Sequence, residues 1–400
     1  MAELNDKFEF EQDGKTYNLY NLPDGFVIEG DVNLSYEELT ELPDLSKVTV
    51  KGDFSCNDNQ LTTLQGAPQK VGGDFYCGYN QLTSLTGAPQ KVGGDFGCGN
   101  NKLTSLTGAP QKVGGDFYCS YNELTSLTGA PQKVGGGFRC VNNQLTSLQG
   151  APQKVGGNFE CYNNQLISLQ GAPREVGGNF QCNDNQLTFL TGAPQKVGGY
   201  FICSYNQITS LQGAPQEVGG GFYCEYNQIT SLQGAPQKVG EGFDCYKNRL
   251  TSLIGAPREV GGSFSCRYNQ LTTLTGAPQK VGGDFGCGSN KLTSLTGAPR
   301  VVGGDFDCDK NDNLFSLLGL PQMSGDKKIY CDDELLERYG HTKLKEGHIK
   351  YKDLIESAKY QSELSVYKIR QKNHEEKKAA QAKLKAGFEA FMKMQTEERE

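Results

Sequence analysis

Cysteine recurs every 21 residues in this chain, at positions 56, 77 and 98 and then without a missed step to 308. A phenylalanine precedes each by two places, from Phe54 to Phe306, and an asparagine follows each by three, from Asn59 to Asn311. The unit reads V-G-G-D-F-x-C-x-x-N-x-L-T-S-L-x-G-A-P-Q-K, and thirteen copies run from about residue 50 to 308 without an insertion. Separate globular domains would not share one unbroken period. A coil that adds one turn per unit must, so the period predicts a solenoid.

Composition agrees once the unit is known. Glycine supplies 52 of 400 residues, about twice its usual share and far below the one third of collagen. With 36% hydrophobic and 21% charged residues, the chain has too much apolar material and too little charge for a disordered polymer.

Each unit reads as one turn. In F-x-C the period of two puts Phe and Cys on one face of a short strand and the residue between them on the other. The Asn ends the strand, where its amide can serve backbone groups at the bend. L-T-S-L sends two more apolar residues inward, and the Pro of G-A-P excludes a central strand or a helix interior. The Gly-Gly pair is expected to let the backbone turn sharply toward the next strand. No stretch accommodates a two-turn helix, so the return side should be extended or polyproline-like.

The pattern F-x-C-x-x-N-x-L followed by T-S-L resembles the leucine-rich repeat L-x-L-x-x-N-x-L, with Phe and Cys in the two strand leucine slots. The short unit is most similar to bacterial and phage-type repeats. One departure stands out: the family's apolar residue three before the first strand leucine is Gly here (Gly72, Gly93), and Val71 or Val92 lies four before. The resemblance implies one continuous parallel β-sheet whose outward slots form a concave face, an extended convex side, and a right-handed coil. About fifteen rungs would span roughly 70 Å at ~4.8 Å per strand.

The array has distinct ends. Ile28 to Leu34 repeats Val50 to Cys56 at a spacing of 22, so residues 1–49 divide into an N-terminal cap and a degenerate first rung. Residues 50–331 form the solenoid, with Ile329 and Cys331 in a loosened last rung. Residues 332–400 lack proline and change to a helical pattern, with Leu354, Ile355, Ala358, Leu364, Tyr367 and Ile369, then Ala380 to Phe391 and Met394. Capping the last rung and self-association as a coiled coil are both open for this tail. The N-terminus has no apolar run of a signal peptide, and no segment is long and apolar enough to span a membrane. A cytoplasmic location is expected, with export by a non-classical route left open.

Candidate chemistry is sparse. The cysteine column suggests disulfides or metal, but parallel Cβ vectors suit neither, no C-x-x-C occurs, and small buried thiols explain the column. The Asp row at 53, 74, 95, 116, 284 and 305 raises the question of a divalent cation against a plain solvated row. The repeats contain no His, so no Ser-His or Cys-His pair can form there. No cofactor or metal is expected, and no enzyme.

Columns differ sharply in constancy. L-T-S-L-x-G-A-P-Q-K hardly changes, whereas the slot between Phe and Cys holds Tyr76, Tyr118, Arg139, Glu160, Ile202, Tyr223 and Asp244. The slot after Cys holds Tyr162, Glu225, Tyr246 and Arg267, and Tyr recurs two places after Cys at 79, 121, 205, 226 and 268. Variation confined to outward slots, rich in Tyr and Arg, points to protein recognition. The body carries a net charge of −8 and the tail +1, which argues against a nucleic-acid partner. The sequence thus reads as a non-enzymatic protein-binding scaffold, with no membrane partner and self-association through the tail open. A structural virion or surface component and a secreted bacterial effector are the alternatives.

Overall fold

The computed structural model describes residues 8–339, 348–357 and 359–366, with isolated helical positions beyond. The 21-residue unit closes one turn of a parallel β-solenoid. Fourteen strands, from Val27–Ile28 through Lys70–Val71 to Val301–Val302, form one sheet. Sixteen form a longer one, from Val32–Asn33 through Phe54–Ser55 to Phe306–Asp307, then Lys328–Tyr330 and His348–Lys350. Only the last of these runs antiparallel. The return side is extended, as the proline implies, and part of it pairs from rung to rung as the shorter sheet.

The register is strict: Phe faces Phe and Val faces Val in successive rungs. Each rung buries Phe, Cys, two Leu or Ile, and Val, so one core runs the length of the coil. The thirteen Phe rings stack with centroids 5.1–5.5 Å apart, each offset from the next and close to parallel. Burying one such ring contributes about 1.5–3 kcal/mol. All fourteen cysteines are buried and unbridged. Several thiols point at a carbonyl oxygen of the next rung, as Cys119 does toward Arg139 at 3.4 Å.

The glycines work differently from the sequence expectation. The left-handed backbone belongs to the glycine of G-A-P, with Gly66 at φ +92° and Gly150 at +93°. The Gly-Gly pair has ordinary negative φ and is required by the closeness of rungs instead. A Cβ on Gly93 would collide with the carbonyl oxygen of Gly72, and one on Gly94 with the Asp74 carboxylate.

That carboxylate explains the Asp row. Asp53 accepts from the backbone N–H of Asp74 at 2.7 Å, Asp74 from Asp95, and Asp95 from Asp116, so each rung holds the next. The ladder ends with Asp116 accepting from Gly137 N–H, because Gly137 has no acceptor to offer. Asn158 and Asn179 restart it with amide oxygens. The asparagine column ties the other bend: Asn80 donates to the carbonyls of Cys56 and Cys77 and accepts from Leu61 N–H.

At the N-terminal end, strands β1 (Glu9–Gln12) and β2 (Lys15–Asn18) form a hairpin around Asp13 and Gly14, both at positive φ. The Gln12 amide donates to Val27 O and accepts from Glu29 N–H, covering the free edge of the shorter sheet. At the other end, helices α1 (Asp333–Arg338) and α2 (Tyr351–Glu356) bury Leu336, Tyr339 and Leu354 against the core. Tyr339 O–H accepts from Leu317 N–H and donates to Glu363. The apolar stripe from Tyr367 to Met394, and with it the coiled-coil expectation, lies outside the described residues.

Candidate interaction surface

Because Phe and Cys fill the interior, the residues beside them emerge in two neighbouring columns on the outer face of the long sheet. All eleven predicted contact residues fall there, in subsets set by the distance between rungs.

Tyr118 and Arg139 occupy the same slot in adjacent rungs, with the guanidinium 5.6 Å from the ring centre. Arg139 also grips Glu160 of the following rung through two contacts of 2.8 and 3.0 Å. Glu160 is only 6% exposed, so it is a buried anchor for Arg139 and not a free contact residue. Tyr76 and Tyr118 donate to Asp74 and Asp116 at 3.1 and 2.5 Å. Burial, aided by those carboxylates, pushes both phenols up. Tyr162 and Ile202 are half-buried.

Toward the C-terminal end the face turns acidic. Burial raises the carboxyls of Glu225 and Asp244 above their ordinary values, and the nearby Asp244 charge pushes Glu225 up further. Arg267 crosses two rungs over the side-chain-free Gly286 to reach Asp307 at 2.5 Å and Asp309 at 3.3 Å. Tyr223 stacks near Tyr200, whose hydroxyl donates to Glu241 two rungs on.

Sequence reasoning leaves Tyr200, Tyr205, Tyr226, Tyr268, Asp307 and Asp309 outside the contact set. The structure seats Tyr246 between Tyr226 and Tyr268, with centroid distances of 5.3 and 5.0 Å, and stacks Tyr205 on Tyr226 at 4.3 Å. The signal was present, since tyrosine repeats two places after Cys. That position reads φ +51° to +57° in all thirteen rungs.

A second surface follows the shorter sheet. Its outward slot carries Lys70, Lys91, Lys112, Lys133 and Lys154 in register, along a groove of about 1220 Å³ lined by these lysines and the neighbouring valines and glycines. Farther on, Glu175, Glu217 and Glu259 alternate with lysines; Glu175 pairs with Lys154 at 3.0 Å, and Glu217 with Lys196 and Lys238 at 3.9 and 3.5 Å. Among the described residues, no cluster of three His, Cys, Asp or Glu side chains is placed to hold a metal ion. None of the described helices is long and apolar enough to cross a membrane.

The chain is similar in structure to YopM from Yersinia enterocolitica WA-314, with 21% identity and a TM-score of 0.53 over 74% of this chain. It spans 66% of that protein, a little under two thirds. YopM from Yersinia pestis, described as a leucine-rich effector protein, is 20% identical over 72% of this chain and 80% of its own, with a TM-score of 0.43. A leucine-rich repeat protein from Bacteroides thetaiotaomicron VPI-5482 is 14% identical over 73% and 39%, with a TM-score of 0.42. No family model and no curated protein matches the sequence. The fold is that of a leucine-rich repeat solenoid, carried here by Phe and Cys in the strand positions.

Proposed function

We propose that this chain is a non-enzymatic protein-binding scaffold that recognises its partner on the outer, concave face of the long sheet. One observation carries the reading. The columns that face inward are nearly constant, while the two columns that face outward beside them change from rung to rung. A ladder of identical rungs needs no such variety to fold, and its aromatic and guanidinium content is that of recognition surfaces. Residues 332–339, 348–357 and 359–366 close the last rung in this reading, through Tyr339, Leu354 and Glu363.

Tyr162 and Ile202 give the cleanest test, because neither side chain makes a hydrogen bond among the described residues whose loss would confuse the result. Reversing Glu160 would disturb packing instead. The double variant Tyr162→Ala and Ile202→Ala is expected to unfold at the urea concentration of the parent, within experimental spread, and to lose partners in affinity purification from the source cell. If it keeps every partner of the parent, the outer face is not the contact surface.

A further inference from the structure

Three observations converge on one edge of the long sheet. The first is backbone conformation. The position two after Cys is left-handed in every rung, a conformation suited to Asn and Asp and poor for a bulky side chain. The chain uses Asp58, Asn100, Asn142, Asn163 and Asp184 there, so the suitable residues were available. It nevertheless places Tyr at 205, 226 and 268, with Tyr205 and Tyr268 49% and 42% exposed. Where Lys247 takes that position, Tyr246 from the neighbouring column fills the gap, and four rings remain in unbroken contact. Local strain without burial in return marks a surface kept for something other than folding.

The second observation is charge. In the rungs from Cys203 to Cys308, the two columns beside Cys hold Glu225, Asp244, Asp307 and Asp309 against Arg267 alone, and the column of the rings adds Lys247 and Lys310. Arg267 is turned away toward Asp307 and Asp309, so Glu225 and Asp244 beside the rings have no cationic partner among the described residues. One oxygen of Glu225 is buried with no hydrogen bond at all. The third observation is chemical precedent within the chain. The Lys247 ammonium already rests 4.7 Å from the centre of the Tyr226 ring.

We infer that the strip Tyr205–Tyr226–Tyr246–Tyr268, with Glu225 and Asp244 beside it, docks a lysine- or arginine-rich polypeptide segment. The cationic side chains of that segment lie on the rings, and the two carboxylates take its charge. This names a partner class for the scaffold reading above and rests on it. The acidity of the face disfavours nucleic acid and acidic peptides at the same place.

The left-handed backbone supplies an unusually clean test. Tyr226→Asn with Tyr268→Asn removes rings without changing charge, and installs a residue that suits the local backbone. Anisotropy of a labelled deca-arginine peptide, read at 0.15 M salt, should show binding to the full parent chain. The double variant should weaken it at least tenfold while its Tm is equal to or above that of the parent. Glu225→Gln should weaken it at least threefold. Parent-like affinity in the double variant would overturn the proposal. So would tighter binding of the parent to deca-glutamate, decaproline, oligothymidylate or maltoheptaose than to deca-arginine. A cellular partner lost with Tyr162→Ala and Ile202→Ala, but kept with the tyrosine variant, would sink the strip alone and leave the scaffold reading intact.

Discussion

The side-chain amide of Asn143 donates to the carbonyl oxygen of Cys119, in the preceding rung, at 3.1 Å, and its own oxygen accepts from Leu124 N–H at 3.0 Å. One side chain therefore holds both sides of a bend in the neighbouring turn. It also reaches the carbonyls of Cys140 and Val141 in its own turn.

Replacing Asn143 with Ala leaves the buried N–H of Leu124 without a partner, whereas the carbonyls keep other donors: Cys119 from Asn122, Cys140 from Asn164 and Val141 from Tyr121 N–H. The expected loss is about 1–3 kcal/mol of unfolding free energy for the one orphaned group. Urea denaturation followed by circular dichroism measures it. An unchanged midpoint would show that water substitutes fully for the amide.

Two glycines separate crowding from conformational freedom. A Cβ on Gly156 would strike the carbonyl oxygen of Gly135, whereas a Cβ on Gly30 meets nothing within 4 Å, and neither residue has a positive φ. Gly156→Ala should cost about 1–3 kcal/mol, the range of overpacking in a closed interior. Gly30→Ala should be within about 0.5 kcal/mol of the parent. Equal midpoints would remove rung contact as the reason for the Gly-Gly pair.

Lys112 sits in register between Lys91 and Lys133, where like charges oppose one another directly. Glu217 shows the remedy, lying between Lys196 and Lys238 within ion-pair distance of both. Lys112→Glu should raise stability by a few tenths of a kcal/mol at low salt, because all these side chains are exposed. The gain should shrink at 1 M salt. A loss at low salt would mean that the lysine row is offset by some other charge.

Asp307 is expected to give the chain a pH-dependent stability. Burial, reinforced by Asp309 and opposed by Asp309 N–H and Arg267, raises its carboxyl from the ordinary 3.8 to about 6. Between those values the folded chain keeps a proton that the unfolded chain has released, so this group's contribution to stability falls as pH rises through that window. Asp307→Asn should remove that part of the slope in Tm between pH 4 and 6.5. A parent-like slope in the variant would place the titration elsewhere.

Much of the coil was legible because its cues are periodic. The F-x-C alternation specifies a strand with one buried face, and the strict period specifies stacking of like on like. The shorter sheet was harder to see, since a two-residue Lys-Val strand has no alternation to read. Its pairing depends on Gly72 and its equivalents letting rungs approach, a contact between residues 21 apart. The outward face was legible as columns but not as pairs. Glu160 looks like a surface residue until Arg139, one rung earlier, folds over it. The tyrosines two after Cys look like loop decoration until the left-handed backbone shows what each displaces.

The Asp ladder has a direction, with each carboxylate serving the turn that follows it. A turn placed in the middle neither knows nor needs its ordinal number; it requires only a neighbour on each side that speaks the same dialect. Gain or loss of whole 21-residue segments therefore preserves every contact but those at the join. The two ends are where such freedom stops: the Gln12 amide already occupies one rim, and the reversed strand His348–Lys350 offers the wrong polarity to an arriving parallel turn. The length of this molecule is thus a question of arithmetic in its gene, and its finiteness a property of two unrepeated edges.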